Sequence, residues 1–149
     1  IYPVIGILAA TKPLPNTKRA PQNEYERTKS LLTDYFENEK GYWINKYMQI
    51  YDKLKAAENI YIWGAGAHTS LLFSTTPILN DFKIAGILDS AKSKWGLSYG
   101  KWVCMQPKKD NFSDKDLILI SSYNSEEEIF NAIERTMSGS VTPIKFHSH

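Results

Sequence analysis

The sequence contains one cysteine, Cys104, among 149 residues. An internal disulfide and a four-cysteine metal site are therefore excluded. A lone thiol fits a reducing compartment, so we expect a cytoplasmic protein. No apolar run reaches the roughly 20 residues of a membrane-spanning helix, and we expect no membrane partner. The formal net charge of +2 is too small to indicate a nucleic-acid-binding surface.

Sequence patterns of common catalytic sites are also missing. There is no P-loop G-K-[ST], no H-E-x-x-H and no Ser/His/Asp order. The Tyr-x-x-x-Lys pair of short-chain dehydrogenases is absent after the fourth predicted strand. His147 and His149 could bind a metal, but the end of a chain is usually mobile. We therefore predict no catalytic residue and no metal site.

The composition that is present belongs to an ordinary folded domain, with 42% hydrophobic and 23% charged residues. A chain of 149 residues is long enough for one domain with a substantial core. It begins at Ile1 rather than at a methionine. We therefore expect a piece of a longer protein, with an upstream domain as a partner. The oligomeric state stays open, with a homo-oligomer among the alternatives.

The first 58 residues fall into two segments. An apolar start, predicted to be an edge strand, is followed by a proline-rich stretch, and together they form a strand and linker segment at 1–22. Residues 23–58 show helical spacing of apolar side chains on either side of Gly41. Since glycine commonly ends helices, we predict a pair of helices that packs on the following domain. The second helix would bury Ile44, Tyr47, Met48, Tyr51 and Leu54.

The most informative stretch is residues 59–73. Residues 60–63 are β-branched or aromatic, which suits a buried strand. Gly64 and Gly66 then turn the chain, and a helix is predicted from Ala67 onward. A strand, a glycine turn and a helix form the first half of a dinucleotide-binding unit. In that unit the free N–H groups at the helix start bind a pyrophosphate.

The fingerprint G-x-G-x-x-G is only partly present, because Thr69 stands at the position of the third glycine. The next predicted strand, 83–88, is followed by Asp89. That acid lies close to the distance, roughly 20 residues on, at which such units place a ribose-binding carboxylate. Together these features favour the fold more than they favour NAD as the ligand.

Strands and helices alternate from residue 59 to the end of the chain. Further strands are predicted at 117–120 and at 141–146, where Pro143 favours a sheet edge. Such alternation implies a mostly parallel sheet flanked by helices. We therefore predict an α/β fold, with a Rossmann-like nucleotide-binding domain at 59–149 after the N-terminal helical pair.

Ligands of parallel sheets bind beyond the carboxyl ends of the strands, so three segments should meet at one rim. They supply the predicted binding residues: Gly64, Ala65, Gly66, Ala67, His68, Thr69, Asp89, Ser122, Tyr123 and Asn124. The helix predicted after Ser125, with Glu128 in a capping box, has acids at 126–128 that would repel a phosphate. A phosphate is therefore expected at 64–69.

Each candidate also has a purely structural interpretation. Gly64 and Gly66 could simply make a tight turn, and Asp89 could simply close its strand. His68 could be a solvated side chain at a helix start. Asn124 could only shape the turn before the next helix. The binding hypothesis needs these residues, which are distant in sequence, to be neighbours in space.

The segment after Asp89 is rich in aromatic residues and glycines. Trp95, Tyr99 and Trp102 could stack on a sugar or a base, or they could cover the edge of the sheet. Cys104 has no basic or histidine neighbour in sequence that would lower the pKa of its thiol. We therefore expect a buried, inert cysteine.

The order of these motifs resembles the C-terminal Rossmann-like domain of sugar C-methyltransferases, and similar modules of sugar-nucleotide and surface-polysaccharide synthesis. The resemblance extends from about the second predicted helix to the C-terminus. It rests on Ile60–His68, Ile87–Asp89, Ser93–Gly96, Gly100 ahead of Val103, and Leu119–Asn124 with Glu128 and Ile129. The sequence departs from that pattern at Thr69 and at 97–101, where the family commonly has Pro-Gly.

The resemblance implies a module that helps to hold a sugar nucleotide. In that family the methyl transfer belongs to a separate S-adenosylmethionine domain, which follows a cysteine-rich zinc region. We therefore expect a noncatalytic, nucleotide-sugar-binding module of a larger sugar-modifying or methyltransferase-type protein. An NAD(P)-dependent epimerase or oxidoreductase domain is the alternative. A degenerate Rossmann scaffold that only packs on a partner is the third hypothesis.

Overall fold

The computed structural model describes residues 22–147, apart from the side chain of Gln22. The strand and linker predicted at 1–22 lie outside the described residues except for Gln22, and so does His149. The chain divides into two compact units, residues 1–36 and 37–149. The described part of the first unit is a helical stretch on which Tyr25, Leu31 and Phe36 are exposed. All features below belong to the second unit unless stated otherwise.

The strands are β1 (Asn59–Trp63), β2 (Ile84–Leu88), β3 (Ser98–Tyr99), β4 (Trp102–Met105), β5 (Asp116–Ile120) and β6 (Thr142–Lys145). They form one sheet in the order β3-β4-β2-β1-β5-β6. All neighbours are parallel except β3, which pairs antiparallel with β4. The helices are α1 (Gln22–Lys55), α2 (Ala67–Thr75), α3 (Ile78–Asp81) and α4 (Glu126–Met137). The predicted α/β class with a mostly parallel sheet is confirmed.

The register places the ends of the three central strands side by side. Trp63 of β1 pairs with Leu88 of β2 on one side and with Ile120 of β5 on the other. The next residue of each strand therefore lies at the same edge of the sheet. Strand order also reverses here, since the chain moves from β1 outward to β2 and β4 and then returns to the other side of β1 at β5. Such a switch point is where open α/β sheets leave a crevice.

Alternate strand residues build two cores on opposite faces of the sheet. Leu117 and Leu119 of β5 pack on the side of α1, α2 and α3, whereas Ile118 and Ile120 pack on the side of α4. All five β5 residues are buried, and the four that follow Asp116 form the continuous apolar run that is typical of a parallel sheet. The edge position of β6, predicted from Pro143, is confirmed.

The predicted pair of helices is wrong, because α1 runs without a break through Gly41. A glycine in a helix costs about 1 kcal/mol relative to alanine, but it keeps its N–H and does not interrupt the hydrogen bonds. Burial of one face after residue 41 offsets that cost. The buried face is Trp43, Tyr47, Ile50 and Leu54, while Met48, predicted to be buried, is exposed.

The predicted capping box at the start of α4 is also wrong. Ser125 occupies the N-cap position with ψ 14°, and its side chain makes no capping hydrogen bond. The usual N-cap has extended backbone angles, which aim the hydroxyl at the first turn. Here the Ser125 N–H instead donates to Ser122 Oγ at 3.2 Å, and Glu128 lines the cleft described below.

Candidate functional site

A cleft of about 570 Å³ opens at the carboxyl ends of β1, β2 and β5. Its lining combines the turn after β1, the residues after β2 and the loop between β5 and α4. The binding residues predicted from the sequence that line it are Gly64, Ala65, Gly66, Ala67, His68, Asp89, Ser122, Tyr123 and Asn124. Thr69 is the predicted residue that does not line it.

The turn after β1 depends on Gly64. Its φ is +131°, a conformation that side chains other than glycine rarely adopt. A Cβ at this position would overlap the backbone oxygen of Ser121, at the end of β5. The Gly64 N–H donates to Leu88 O at 2.8 Å, which ties the turn to β2. This glycine is therefore required for the close approach of three strand ends.

Gly66 is different, although the sequence pattern treats the two glycines alike. Its φ is −158°, which other residues also adopt, and a Cβ here would meet no atom within 4 Å. Gly66 itself lines the cleft. Gly66 is thus not required by the fold, and the lack of a side chain leaves the start of α2 accessible to a ligand.

Thr69 is fully buried beneath the turn. Its hydroxyl donates to Gly64 O, so the side chain at the third fingerprint position fastens the turn from below. This contact joins residues five apart and explains how threonine is accommodated where the fingerprint has glycine. Thr69 therefore stabilises the turn that lines the cleft, although its own side chain does not line it.

Replacing Thr69 with valine keeps the shape and removes this hydrogen bond, which is expected to lower the free energy of unfolding by about 1 kcal/mol. Thr75→Val is a matched control in the same helix. The Thr75 hydroxyl donates to Leu71 O at 2.6 Å in a solvent-exposed hydrogen bond, so water can replace the bond and the change should be near zero. Urea denaturation measures both variants, and equal effects would contradict the supporting role of Thr69.

The start of α2 carries the polarity that favours an anion. The first intrahelical bond runs from Ser70 N–H to Gly66 O, so the N–H groups of residues 67–69 precede it. Within the described part of the chain, no side chain caps this helix and no acid lies in its first turn. The start of α4 instead carries acids at 126–128, which complement its dipole and repel anions. The two helix starts at the cleft are thus electrically different.

Asp89 fastens the turn from the side of β2. Its Oδ2 accepts from Ala65 N–H at 2.9 Å and from Lys94 Nζ at 2.7 Å, and its Oδ1 accepts from Ala91 N–H at 2.8 Å. Burial alone would raise the pKa of this carboxyl, but the hydrogen bonds from Lys94, Ala91 and Ala65 outweigh it and lower the pKa. Asp89 is therefore ionised, and its two carboxylate oxygens already accept hydrogen bonds from three donors.

Lys94 lines the cleft but is not among the binding residues predicted from the sequence. Its ammonium group bonds Asp89 and also Ala65 O, at 2.9 Å, and its side chain is 41% exposed. It is the one lysine or arginine among the described residues that line the cleft. No local signal separates it from Lys92, because its role arises from the 3₁₀ turn at Lys92–Lys94 that folds it back over the β1 turn.

The loop after β5 completes the opposite wall. Ser121 is buried and its Oγ lies 2.8 Å from His68 Nδ1. Ser122 is half-buried, and its Oγ accepts from the Ser125 N–H. Tyr123, 53% exposed, and Asn124, also exposed, lie at the mouth of the cleft. They are the side chains there that a ligand could reach most readily.

His68 is not a solvated side chain. Its ring is half-buried between Ser121 and His147, and its centroid lies 4.7 Å from that of Trp43. Burial, followed by the charge of His147, lowers the pKa of His68 to about 4. His147, expected to belong to a mobile tail, is held by Lys46, which donates to its carbonyl oxygen at 2.7 Å.

The aromatic residues after Asp89 are structural. Trp95 Nε1 donates to Asp89 O at 2.8 Å, and Trp102 Nε1 donates to Ile84 O at 3.0 Å. The Tyr99 hydroxyl donates to Gly66 O at 2.7 Å. None of the three lines the cleft. Cys104 is buried as predicted, and burial raises the pKa of its thiol.

Comparison with protein-family models, with curated proteins and with solved structures gives no significant match to this chain. Within residues 22–147, no group of three or more histidine, cysteine or acidic side chains is placed to hold a metal ion. The same residues include no helix with the length and apolar character needed to cross a bilayer. The geometry of the cleft is therefore the basis for any functional assignment.

Proposed function

We propose that this chain is a Rossmann-like module that binds a nucleotide-linked sugar in the cleft. The observation that carries the proposal is the uncapped, acid-free start of α2 behind the open surface of Gly66. Helix N–H groups and the positive end of the helix dipole together bind phosphate groups. The position of the cleft at the switch point of the sheet supports the same assignment.

In this proposal the diphosphate lies at residues 66–68, with Lys94 close by as the cation of the cleft. Tyr123 and Asn124 face the other end of the ligand, where a base or a sugar would lie. Aromatic faces and amide groups are suited to those partners. The residues of the cleft would bind and orient the ligand without performing chemistry on it, as part of a larger sugar-modifying protein in the cytoplasm.

The hydrogen bonds that Asp89 already accepts within the protein argue against NAD(P) as the ligand. A ribose-binding acid needs carboxylate oxygens that can accept the sugar hydroxyls. Asp89 already accepts from two backbone N–H groups and from Lys94. A ribose held at Asp89, as in the NAD(P)-binding unit, would therefore compete with the contacts that fasten the β1 turn. In the proposed complex the diphosphate lies at α2 and the ribose need not contact Asp89.

The proposal is tested by thermal melting against UDP-, GDP-, CDP- and dTDP-sugars, NAD, NADP and S-adenosylmethionine. A ligand at roughly 100 times its dissociation constant adds about 2.7 kcal/mol, which corresponds to a rise of several degrees in Tm for a domain of this size. We expect that rise with a nucleotide sugar. A rise with NAD or NADP alone would favour an oxidoreductase, and no rise with any ligand would favour a scaffold.

Substitution of Gly66 tests whether the ligand lies at the start of α2. Aspartate and asparagine are both better N-cap residues than glycine, and the position has open space, so Gly66→Asp and Gly66→Asn should melt at or above the native Tm. The Asp variant places a carboxylate where the phosphate is proposed and should lose the ligand-induced rise in Tm. The Asn variant, of equal size, should keep more of it. Equal rises in the two variants would place the anion elsewhere.

A further inference from the structure

Two histidines that are 79 positions apart in the sequence meet beside the cleft. The Nε2 atoms of His68 and His147 lie 2.5 Å apart. Their outer nitrogens also have partners, since His68 Nδ1 lies 2.8 Å from Ser121 Oγ and His147 Nδ1 lies 2.8 Å from the Tyr42 hydroxyl. Four side chains thus form one continuous hydrogen-bonded row, from a buried serine in the cleft wall to a tyrosine at the surface.

The 2.5 Å distance limits how many protons the pair can hold, because there is room for one hydrogen between two nitrogens. When both rings are neutral, one proton bridges the pair and a second occupies one outer nitrogen. With one added proton, both outer nitrogens carry hydrogen and donate to Ser121 and Tyr42, whose oxygens can accept. With two added protons, two N–H groups and two positive charges face each other across the bridge.

Among residues 22–147, the charged and titratable groups around the pair do not remove this conflict. Glu126 of α4 accepts the His147 backbone N–H at 2.7 Å, and its negative charge raises the pKa of His68. That effect is smaller than the lowering caused by burial and by His147. Lys46 of α1 adds a positive charge near the His147 carbonyl, and the ring of Tyr123 packs edge-on to His147. The surroundings therefore accommodate one positive charge better than two.

We propose that the hydrogen-bonded pair of His68 and His147, here called the latch, joins the cleft wall to the end of β6 and accepts one added proton but not two. The latch stays closed with no added proton or with one, and the second added proton opens it. His68 belongs to the first turn of α2 and lines the cleft, so opening the latch releases that part of the wall. This inference concerns the protein alone and does not depend on the identity of a ligand.

Linkage gives the latch a measurable signature. An unfolded chain binds a proton on each of these histidines once the pH falls below about 6.5, whereas the closed latch holds one in total. The unfolded state then binds about one proton more, so stability is complete above pH 6.5 and falls as the pH drops toward 4. A difference of one proton changes the folding equilibrium constant tenfold per pH unit.

The experiment measures the folding equilibrium constant by urea denaturation between pH 4.5 and 6.5. Compared with the native chain, His147→Gln should lose the part of this dependence that lies at the acidic end of the range, because removing the charge of His147 raises the pKa of His68 while burial still holds it below its ordinary value. Equal pH dependence of the native chain and the His147→Gln variant would overturn the latch.

Nitrogen NMR of the histidine rings provides a second test that does not need a variant to fold. At pH 5 the native pair should carry one added proton in total, with one Nε2 protonated and the other not. Independent titration of His68 and His147, each near pH 6.5, would overturn the proposal. So would ring nitrogens that keep neutral tautomers down to pH 4.5.

Discussion

Replacing Gly64 with alanine is expected to lower the free energy of unfolding by roughly 3 kcal/mol or more. The residue has φ +131°, and the added Cβ would overlap the backbone oxygen of Ser121. Left-handed backbone strain costs on the order of 1–3 kcal/mol, and relief of the overlap would require β1 and β5 to separate. Typical domains have a total free energy of unfolding of about 5–15 kcal/mol, so this one added methyl group removes a large fraction of that stability. Denaturant unfolding measures the loss.

Alanine substitutions at two other glycines distinguish the cost of backbone strain from the cost of steric overlap. Gly96 has φ +83°, but a Cβ added there would meet no atom within 4 Å, so Gly96→Ala should cost about 1 kcal/mol from strain alone. Gly41 lies in α1 with open space and helical geometry, so Gly41→Ala should raise stability by up to about 1 kcal/mol. If Gly64→Ala costs no more than Gly96→Ala, the close approach of the strand ends is not what requires glycine.

Replacing Asp89 with asparagine is expected to cost about 2–3 kcal/mol of unfolding free energy. The side chain keeps its shape, but it loses the charge-assisted bond to Lys94, and its NH₂ group faces donors that had an acceptor. Asp89 is only 7% exposed, so water cannot easily take over. Lys94→Met is the matched control and should cost less, because the carboxylate keeps both backbone donors and Lys94 is partly exposed.

The pH dependence gives the same residue a second, independent test. The pKa of Asp89 is lowered in the folded state, so its contribution is present above the unfolded pKa of about 3.9 and is lost as the pH falls through the folded value. The native chain should therefore lose stability more steeply than Asp89→Asn in that acidic range. Parallel curves for the two proteins would show that the carboxylate charge does not fasten the turn.

The fold could be predicted from the sequence where neighbouring residues decide the structure. The apolar run Leu117–Ile120 indicated a buried strand, and Pro143 indicated an edge strand; both were confirmed. Gly41 was a false boundary, because glycine weakens a helix by an amount that burial of Trp43 and the later residues of α1 can offset. A local signal of about 1 kcal/mol could not reveal that tertiary contribution.

The candidate site shows the same division between local and distant information. The glycine turn, Asp89 and the loop at 122–124 could be brought together from the sequence, because parallel strands end at one edge of a sheet. Lys94 was not selected, since its position over the turn depends on a short 3₁₀ helix without a strong local signature. His147 was expected to be mobile, but contacts with α1, with His68 and with Glu126 of α4 hold it in place.

Local sequence patterns set the alternation of strands and helices, and hence the edge of the sheet at which a cleft would form. Long-range packing set what each side chain does there: that Gly64 is required and Gly66 is not, that Asp89 and Thr69 fasten the turn, and that two histidines meet in one hydrogen-bonded row. The physical reason is the separation along the sequence between the residues that determine each feature. Strand and helix patterns depend on residues a few positions apart, whereas the bonds from Asp89 to Ala65 and from His68 to His147 join residues 24 and 79 positions apart. Such contacts depend on the register of the whole sheet.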